Sequence, residues 1–363
     1  MNKTLLFLFL SLLTSTLLEA QKFSNEFLSI GVGARAQAMG KSVIASTADV
    51  TASYWNPAGV VRNSHNHWQF GAMHAEWFAG VGKFDYLSAT KKIDNNRKSI
   101  SLSLIRFGID DIPNTLNLFE ADGSINYDNV VPFSAADYAF LGGYSQYLFE
   151  DSDKWTVGGN LKIIYRNIGP FANAFGFGLD GGIQYWGKKW KFGLNVSDIT
   201  GTFNAWSFNF TESEKEVLEL TDNELPENSI EVTRPKATLG IANYKQLRKG
   251  FGISVEASLV ATFDGERNTL IKGKQFSISP GIGAELDFKQ FAFLRFGLTN
   301  VQQDTDIDRN PYWTIEPSLG LGVKIKNFKL DYAFTDIGDQ RNNTFSHVIS
   351  LLFNLPQKQP ERP

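Results

Sequence analysis

Few residues in this chain are placed to do chemistry. There is no cysteine, and the four histidines are His65, His67, His74 and His347. Without cysteine there is no disulfide framework, no thiolate metal site and no cysteine nucleophile. The spacing of His65 and His67 puts two imidazoles on one strand face, but a zinc site needs at least a third protein ligand and none is spaced to supply it. Glu212, Glu214, Glu216 and Glu219, with Asp222 and Glu224, form an acidic stretch without the D-x-D-x-D-G order that wraps calcium. Asp304, Asp306 and Asp308 alternate in a way that leaves calcium as a secondary reading there. The glycines between Gly31 and Gly40 follow neither the G-x-G-x-x-G nor the lysine-serine pattern of a phosphate cradle. The expectation is a protein with no catalytic residue, no resident metal and no cofactor.

Composition narrows the partners. Lys and Arg total 35 against 38 Asp and Glu, a formal charge of -3. A nucleic-acid binder would show a basic excess or stripe, so no nucleic-acid partner is expected. Residues 1–20 carry Lys3, an apolar run from Leu5 to Leu18 and the small residue Ala20, the pattern of a secretory signal peptide cleaved near Ala20. That run is too short for a transmembrane helix, and no later segment is long and apolar enough for one.

The elements left to position anything are strands. From Trp155, the residues Trp155, Val157, Gly159, Leu161, Ile163 and Tyr165 share one face, while Thr156, Asn160, Lys162 and Arg166 share the other, a period of two. The same sorting recurs along 174–186, 190–199, 250–264, 274–288, 312–325 and 327–336. The runs match the roughly 9 to 11 residues a tilted membrane-spanning strand needs, and aromatics gather at their ends. The opposite face is rich in glycine and serine and carries Lys162, Arg166, Glu256, Glu285, Glu316, Lys329 and Asp331, which suits a wet lumen lined with ion pairs. Candidate strands number about 14, and short connections alternate with long ones at 109–136, 200–234, 265–273, 302–311 and 337–344. The fold expected is all-β: a transmembrane antiparallel β-barrel over 64–355, with outer-membrane lipid around it. Arg106 breaks the apolar parity of the third strand.

Residues 21–63 do not alternate. Their small side chains and the turn at Asn56-Pro57 suit a segment folded into the barrel as an N-terminal plug. Here a resemblance becomes specific. The stretches K-F-S-N-E-F-L-S-I-G-V-G-A-R-A-Q-A-M-G, Lys22 to Gly40, and A-D-V-T-A-S-Y-W-N-P-A-G, Ala48 to Gly59, are similar to the N-terminal signature of the PorV/PorQ family, nearest its PorV-like branch. That family belongs to the FadL-like outer-membrane proteins of Bacteroidetes. The resemblance implies a 14-stranded outer-membrane barrel associated with type IX secretion, a non-enzyme that binds the C-terminal sorting domains of secreted cargo proteins or the translocon. It also implies that Gly33, Ala34, Arg35, Ala36, Met39, Gly40, Trp55, Asn56, Pro57 and Gly59 make up the plug motif. The chain departs from the pattern at Lys41, where a small residue is expected, and in a tail at 356–363. A second function stays open: transport of hydrophobic small molecules, as in other FadL-like proteins. It would call for an apolar pocket, for which Phe23, Phe27, Leu28, Ile30, Met39 and Trp55 are the candidates.

Overall fold

The computed structural model describes residues 24–63, 68–77, 80–120, 122–305, 310–336 and 345–355. The leader, the tail, His65, His67, Phe23, Asp306 and Asp308 lie outside the described residues. The strands are β1 (Trp68–Trp77), β2 (Gly82–Ile93), β3 (Lys98–Asn114), β4 (Val131–Phe149), β5 (Ser152–Ile168), β6 (Ala172–Trp186), β7 (Trp190–Ser197), β8 (Thr202–Phe208) and β9 (Ile230–Thr233). After them come β10 (Lys236–Gln246), β11 (Phe251–Thr262), β12 (Ile271–Lys272), β13 (Ser277–Phe288), β14 (Ala292–Thr305), β15 (Pro311–Ile325), β16 (Phe328–Asp336) and β17 (Phe345–Asn354).

Among the described residues, fourteen of these strands close into an antiparallel ring, with β1 paired to both β2 and β17. Closure leaves no unpaired edge, which the bilayer core requires of any sheet that crosses it. β8, β9 and β12 lie outside that count. β8 continues β7 along the same partner, β6, after a break at Asp198 and Gly201, both in the left-handed region. β9 pairs with β8 above β10, so the two form a short extension of the wall.

The alternation read from the sequence sorts outside from inside. Leu102, Leu87, Phe140 and Leu321 face outward and are 48% to 69% exposed, while Glu256, Arg295, Lys162 and Asp331 face inward and are buried. This inversion of the soluble pattern is what a lipid solvent selects. Exposed aromatics ring both ends, Trp155, Trp190, Phe251 and Phe328 toward the short turns and Phe175, Phe263, Trp313 and Phe345 toward the long loops. The tight turns use Asp94, Asn95, Asn96, Lys289, Gln290 and Lys326 at positive φ, as two- to four-residue hairpin turns demand.

The wall is uneven. β3, β4 and β5 run 17, 19 and 17 residues, against 10, 9 and 10 for β1, β16 and β17. The segments 109–114 and 131–136, expected as loop, are therefore strand. An aromatic ladder ties this raised side together: Phe133 meets Phe171 edge-on at 5.0 Å, Phe171 stacks on Phe210 at 5.6 Å, and Phe210 on Phe208 at 6.3 Å. A helix, Glu212–Leu220, caps the β8–β9 connection, held by a capping box between Thr211 and Glu214.

Inside the ring lies the segment 24–63, in short pieces: a 3-10 turn at Glu26–Ser29, helices Ala34–Ala38 and Ala52–Trp55, and a 3-10 turn at Pro57–Arg62. It approaches the wall where the wall has no side chains. A Cβ on Gly297 would stand 2.0 Å from Gly40 N, on Gly283 2.3 Å from Met39 O, on Gly193 2.4 Å from Ile44 O and on Gly158 2.6 Å from the Pro57 carbonyl carbon. Gly320, Gly182 and Gly71 make the same room for Ala38, Asn56 and Val50 side-chain atoms. Glycine inside a strand costs roughly 0.5 to 1 kcal/mol relative to alanine, so its repeated use marks places where another backbone comes close. Of the glycines that suggested a wet lumen, Gly158, Gly182, Gly193, Gly283 and Gly320 are thus spent on contact with the segment, while Gly176, Gly178, Gly252 and Gly322 make room for side chains of the wall. Replacing Gly297 by Leu is expected to expel the segment locally, seen as new protease cleavage after Arg35 or Lys41 while the barrel keeps its heat-dependent shift on a gel.

Candidate functional site

The segment is anchored by polar contacts at each turn of its path. Arg35 Nε donates to Glu285 Oε2 at 3.1 Å, and Glu285 also accepts from Arg295 Nε at 2.6 Å. Arg295, whose side chain is fully buried, donates onward to Asp331 Oδ1 at 2.8 Å, and Lys329 stands 3.4 Å from the other Asp331 oxygen. A chain of five charges thus joins the helix Ala34–Ala38 to β13, β14 and β16. Each buried charge here has an opposite partner, the condition for tolerating it at all. Burial works against the Arg35 guanidinium, but Glu285, Asp49 and Glu256 hold it above its ordinary range.

Elsewhere the barrel wall reads the segment's backbone. Glu256 Oε1 accepts from Ala45 N at 2.6 Å, Ser350 Oγ from Ala34 N at 2.7 Å, and Gln184 Nε2 donates to Ile44 O and Thr47 O at 3.0 Å. Asn56 Nδ2 donates to Ile44 O at 3.1 Å and Ile183 O at 3.2 Å, while its Oδ1 accepts from Ala58 N, setting up the turn into Pro57. Arg62 donates to Asp153 O and Lys154 O at 2.9 and 2.7 Å and lies 4.6 Å from the Trp186 ring, which ties the segment's end to the short-turn rim.

Two cavities remain beside this segment. The larger, about 450 Å³, opens at the long-loop end between β10, β11, β13 and β14. Lys41, Lys236, Glu266 and Arg267 give it walls of both charges, Arg267 being paired with Glu26 and Asp264, while Asn268, Asn300 and Gln302 give neutral polar ones and Tyr54 and Trp55 lie at its floor. A smaller one, about 60 Å³, continues past Leu28, Ile44, Tyr54 and Trp55 to Lys162, Asp180 and Asp198. Tyr54 and Trp55 meet edge-on at 4.9 Å; Trp55 Nε1 donates to Val32 O at 2.8 Å and the Tyr54 hydroxyl to Leu28 O. Burial, together with Asp180 and Asp198, pushes the Tyr54 phenol above its usual range. Lys41 holds a left-handed backbone and reaches Ser29 O at 3.4 Å; burial pulls its ammonium below the usual range against Glu316 and Glu26.

The residues singled out in the sequence fall as follows. Gly33, Ala34, Arg35, Ala36, Met39, Gly40, Trp55, Asn56, Pro57 and Gly59 all sit in the segment; nine of them are buried, and Arg35 is half-buried in its ion pair. Gly59 has no room for a Cβ, which would stand 2.3 Å from Thr47 O. Lys162 donates to Asp180 at 2.9 Å and Asp198 at 2.6 Å, Arg166 pairs with Asp137 at 2.8 Å, and Glu316 accepts from Asn300 Nδ2 at 2.6 Å. Of the apolar set, Phe27, Met39 and Trp55 pack into the buried core with Leu28 and Ile30 beside them, and only Trp55 and Leu28 also line the cavities. Asp180, Asp198, Arg295 and Arg267 escaped sequence reasoning because their partners are set by register or by the segment's path. His74 pairs with Asp85 at 2.7 Å and His347 with the Tyr332 hydroxyl at 2.7 Å. No group of His, Asp and Glu suited to a metal occurs among the described residues.

No protein-family model matches the sequence, and no curated protein matches it. Solved structures do. The P. putida toluene transporter TodX is similar with a TM-score of 0.56 at 15% identity, covering 90% of this chain and 99% of that one. The Ralstonia pickettii toluene transporter TbuX gives 0.53 at 13% over 90% and 99%, and a Pseudomonas aeruginosa FadL homologue 0.51 at 12% over 88% and 97%. At such identities the likeness is one of fold: the chain has the closed 14-stranded barrel of FadL-like outer-membrane proteins. Removing Arg295 takes away the cation shared by Glu285 and Asp331, leaving only Arg35 and Lys329 to balance these two buried carboxylates. Arg295→Ala is expected to destabilise the barrel by about 3 to 5 kcal/mol, read from its urea unfolding midpoint in detergent.

Proposed function

We propose that this chain is a non-enzymatic outer-membrane barrel that admits a hydrophobic small molecule at its long-loop mouth and passes it inward when the segment 24–63 shifts. The observation that carries this reading is the pair of cavities in line, from a mouth of about 450 Å³ down to the Tyr54–Trp55 aromatic pair and past it. Long loops face the exterior in barrels of this kind, so the mouth opens outward. Its aromatic floor suits an apolar body and its charged and polar wall a polar end. The fold shared with toluene transporters supports the same reading. In this reading the segment closes the route, so transport requires it to move. Its charged anchors, Arg35 to Glu285 above all, are the contacts to loosen.

A second reading has its own support. The signature at Lys22 to Gly40 and Ala48 to Gly59 is similar to that of secretion-associated barrels. The raised wall with its acidic helix Glu212–Leu220 also projects a surface outward, where long ordered loops carry function. In that reading the protein receives secreted proteins, or their translocon, on this wall.

Uptake into liposomes separates the two. Purified protein in vesicles is expected to speed entry of toluene or a pyrene-labelled fatty acid, and Arg35→Ala to raise that rate about tenfold by loosening the segment. Vesicles no more permeable than protein-free ones would overturn transport. Co-purification of secreted proteins or of a large barrel, lost on deleting 211–229, would then favour the secretion reading.

A further inference from the structure

The rim at the short turns is charged unevenly. Three neighbouring turns, β6–β7, β10–β11 and β13–β14, carry Lys188, Lys189, Lys245, Arg248, Lys249 and Lys289, all exposed. None of these six makes an ion pair among the described residues. The carboxylates on the strands beside them turn into the lumen: Glu285 is held by Arg35 and Arg295, and Asp287, 3% exposed, accepts from Gln290 N at 3.1 Å. Lys191 turns inward as well, with its ammonium 3.6 Å from the Trp186 ring centroid, and Lys329 is paired with Asp331. The opposite half of the rim is balanced. There Lys91, Lys92, Arg97, Lys98 and Lys154 stand among Asp94, Glu150, Asp151 and Asp153, with Lys98 on Asp94 at 2.7 Å and Arg97 on Asp153 at 3.0 Å.

Above the unbalanced arc, the outer wall holds an apolar groove of about 660 Å³ across β5, β6, β7, β10, β11 and β13. That is within the roughly 300 to 1,000 Å³ of small-molecule sites. Ala257 makes its floor, because register sets this small side chain between Ile241 and Ile282 on one outward rung, with Phe192 next along it. The rung below toward the short turns is Trp190, Asn243, Val255 and Ala284, and on the one below that Lys245 stands outward beside Ile253 and Leu286. Lys245 is thus four residues from Ile241, about 14 Å along the strand.

Lys289 comes to the same edge. Its ammonium lies 5.3 Å from the ring centroid of Phe288, which faces outward and is 38% exposed. Lys289 N donates to Gly250 O at 2.7 Å, and a Cβ on Gly250 would stand 2.9 Å from Lys289 Cγ, so the lysine stem crosses onto the β10–β11 turn that carries Arg248 and Lys249.

We infer that this edge is a site for an anionic phospholipid of the leaflet that meets the short turns. Short turns face the periplasm in barrels of this kind, and the periplasmic leaflet of an outer membrane is made of phospholipid. The acyl chains fill the groove over Ala257, and the phosphate lies among Lys245, Arg248 and Lys289. Four to eight Lys and Arg beside a bilayer without counter-ions attract anionic headgroups, and a guanidinium adds a bidentate grip on phosphate. An unpaired cationic arc repels the amine of a zwitterion, so the lipid is of the phosphatidylglycerol class. This site does not depend on what crosses the barrel.

Native mass spectrometry of the protein released from nanodiscs of phosphatidylglycerol and phosphatidylethanolamine in equal parts tests it. One phosphatidylglycerol is expected to stay bound. The triple variant Lys245→Gln, Arg248→Gln, Lys289→Gln should cut its retention about tenfold, as should Ala257→Phe, which fills the groove and leaves every charge in place. The triple variant Lys91→Gln, Lys92→Gln, Lys98→Gln removes the same charge from the balanced half and should leave retention unchanged. A gel shift on heating confirms that each variant is folded. Equal retention of both lipids by the unaltered protein, or equal loss from the two triple variants, would overturn the site. No retained phosphatidylglycerol would overturn it too, and would leave the arc to an acidic periplasmic protein.

Discussion

A barrel of fourteen strands has a lumen wide enough to need filling, and in this chain the filling is backbone against backbone. The contact depends on wall positions where a Cβ cannot stand, Gly158, Gly193, Gly283 and Gly297 chief among them. Once the segment 24–63 lies that close, its amide groups leave water and must find partners, because buried backbone donors and acceptors are costly when unpaired. The inward polar side chains are placed to supply them: Glu256 for Ala45 N, Gln184 for Ile44 O and Thr47 O, Ser350 for Ala34 N. Those side chains then need their own balance of charge, which the Arg35, Glu285, Arg295, Asp331 and Lys329 chain provides on the β13 to β16 side.

Much of this was legible in the sequence and some was not, for physical reasons. Lipid on one face and a polar interior on the other impose a period of two, so strands such as 174–186 and 327–336 stand out within a few residues of their observed bounds. The strands β8 and β9 did not, because the breaks at Asp198 to Gly201 and at Arg234-Pro235 interrupt the alternation. The helix Glu212–Leu220 left a readable sign, Thr211 with Glu214 three residues on, in a stretch otherwise noted only for acidity. The glycines of the inward face were visible and their purpose was not. Glycine gives the same signal for a water-filled lumen as for close contact, and only the path of residues 24–63 decides between them. Lys162 was legible as inward-facing, yet its partners Asp180 and Asp198 lie 18 and 36 residues away and come to it through register.

Arg106 shows the reverse case. In the sequence it only breaks the apolar parity of β3, whereas its place on a rung with His74, Asp85 and Tyr138 shows where the apolar band of the outer wall ends. On the inner face glycine makes room for the segment, and polar side chains beside it hold the segment's backbone. The packing leaves open the cavity over Tyr54 and Trp55 and the smaller one beyond it, and a ligand that goes further must displace the segment.

The central claim, that residues 24–63 close the lumen through contact with glycine positions, is tested most directly by conductance in planar bilayers. The unaltered protein should show no steady ion current, and the Gly283→Leu, Gly297→Leu double variant should open pores of uniform size. A steady pore in the unaltered protein, or a variant that stays closed although its segment has become sensitive to protease, would contradict the account.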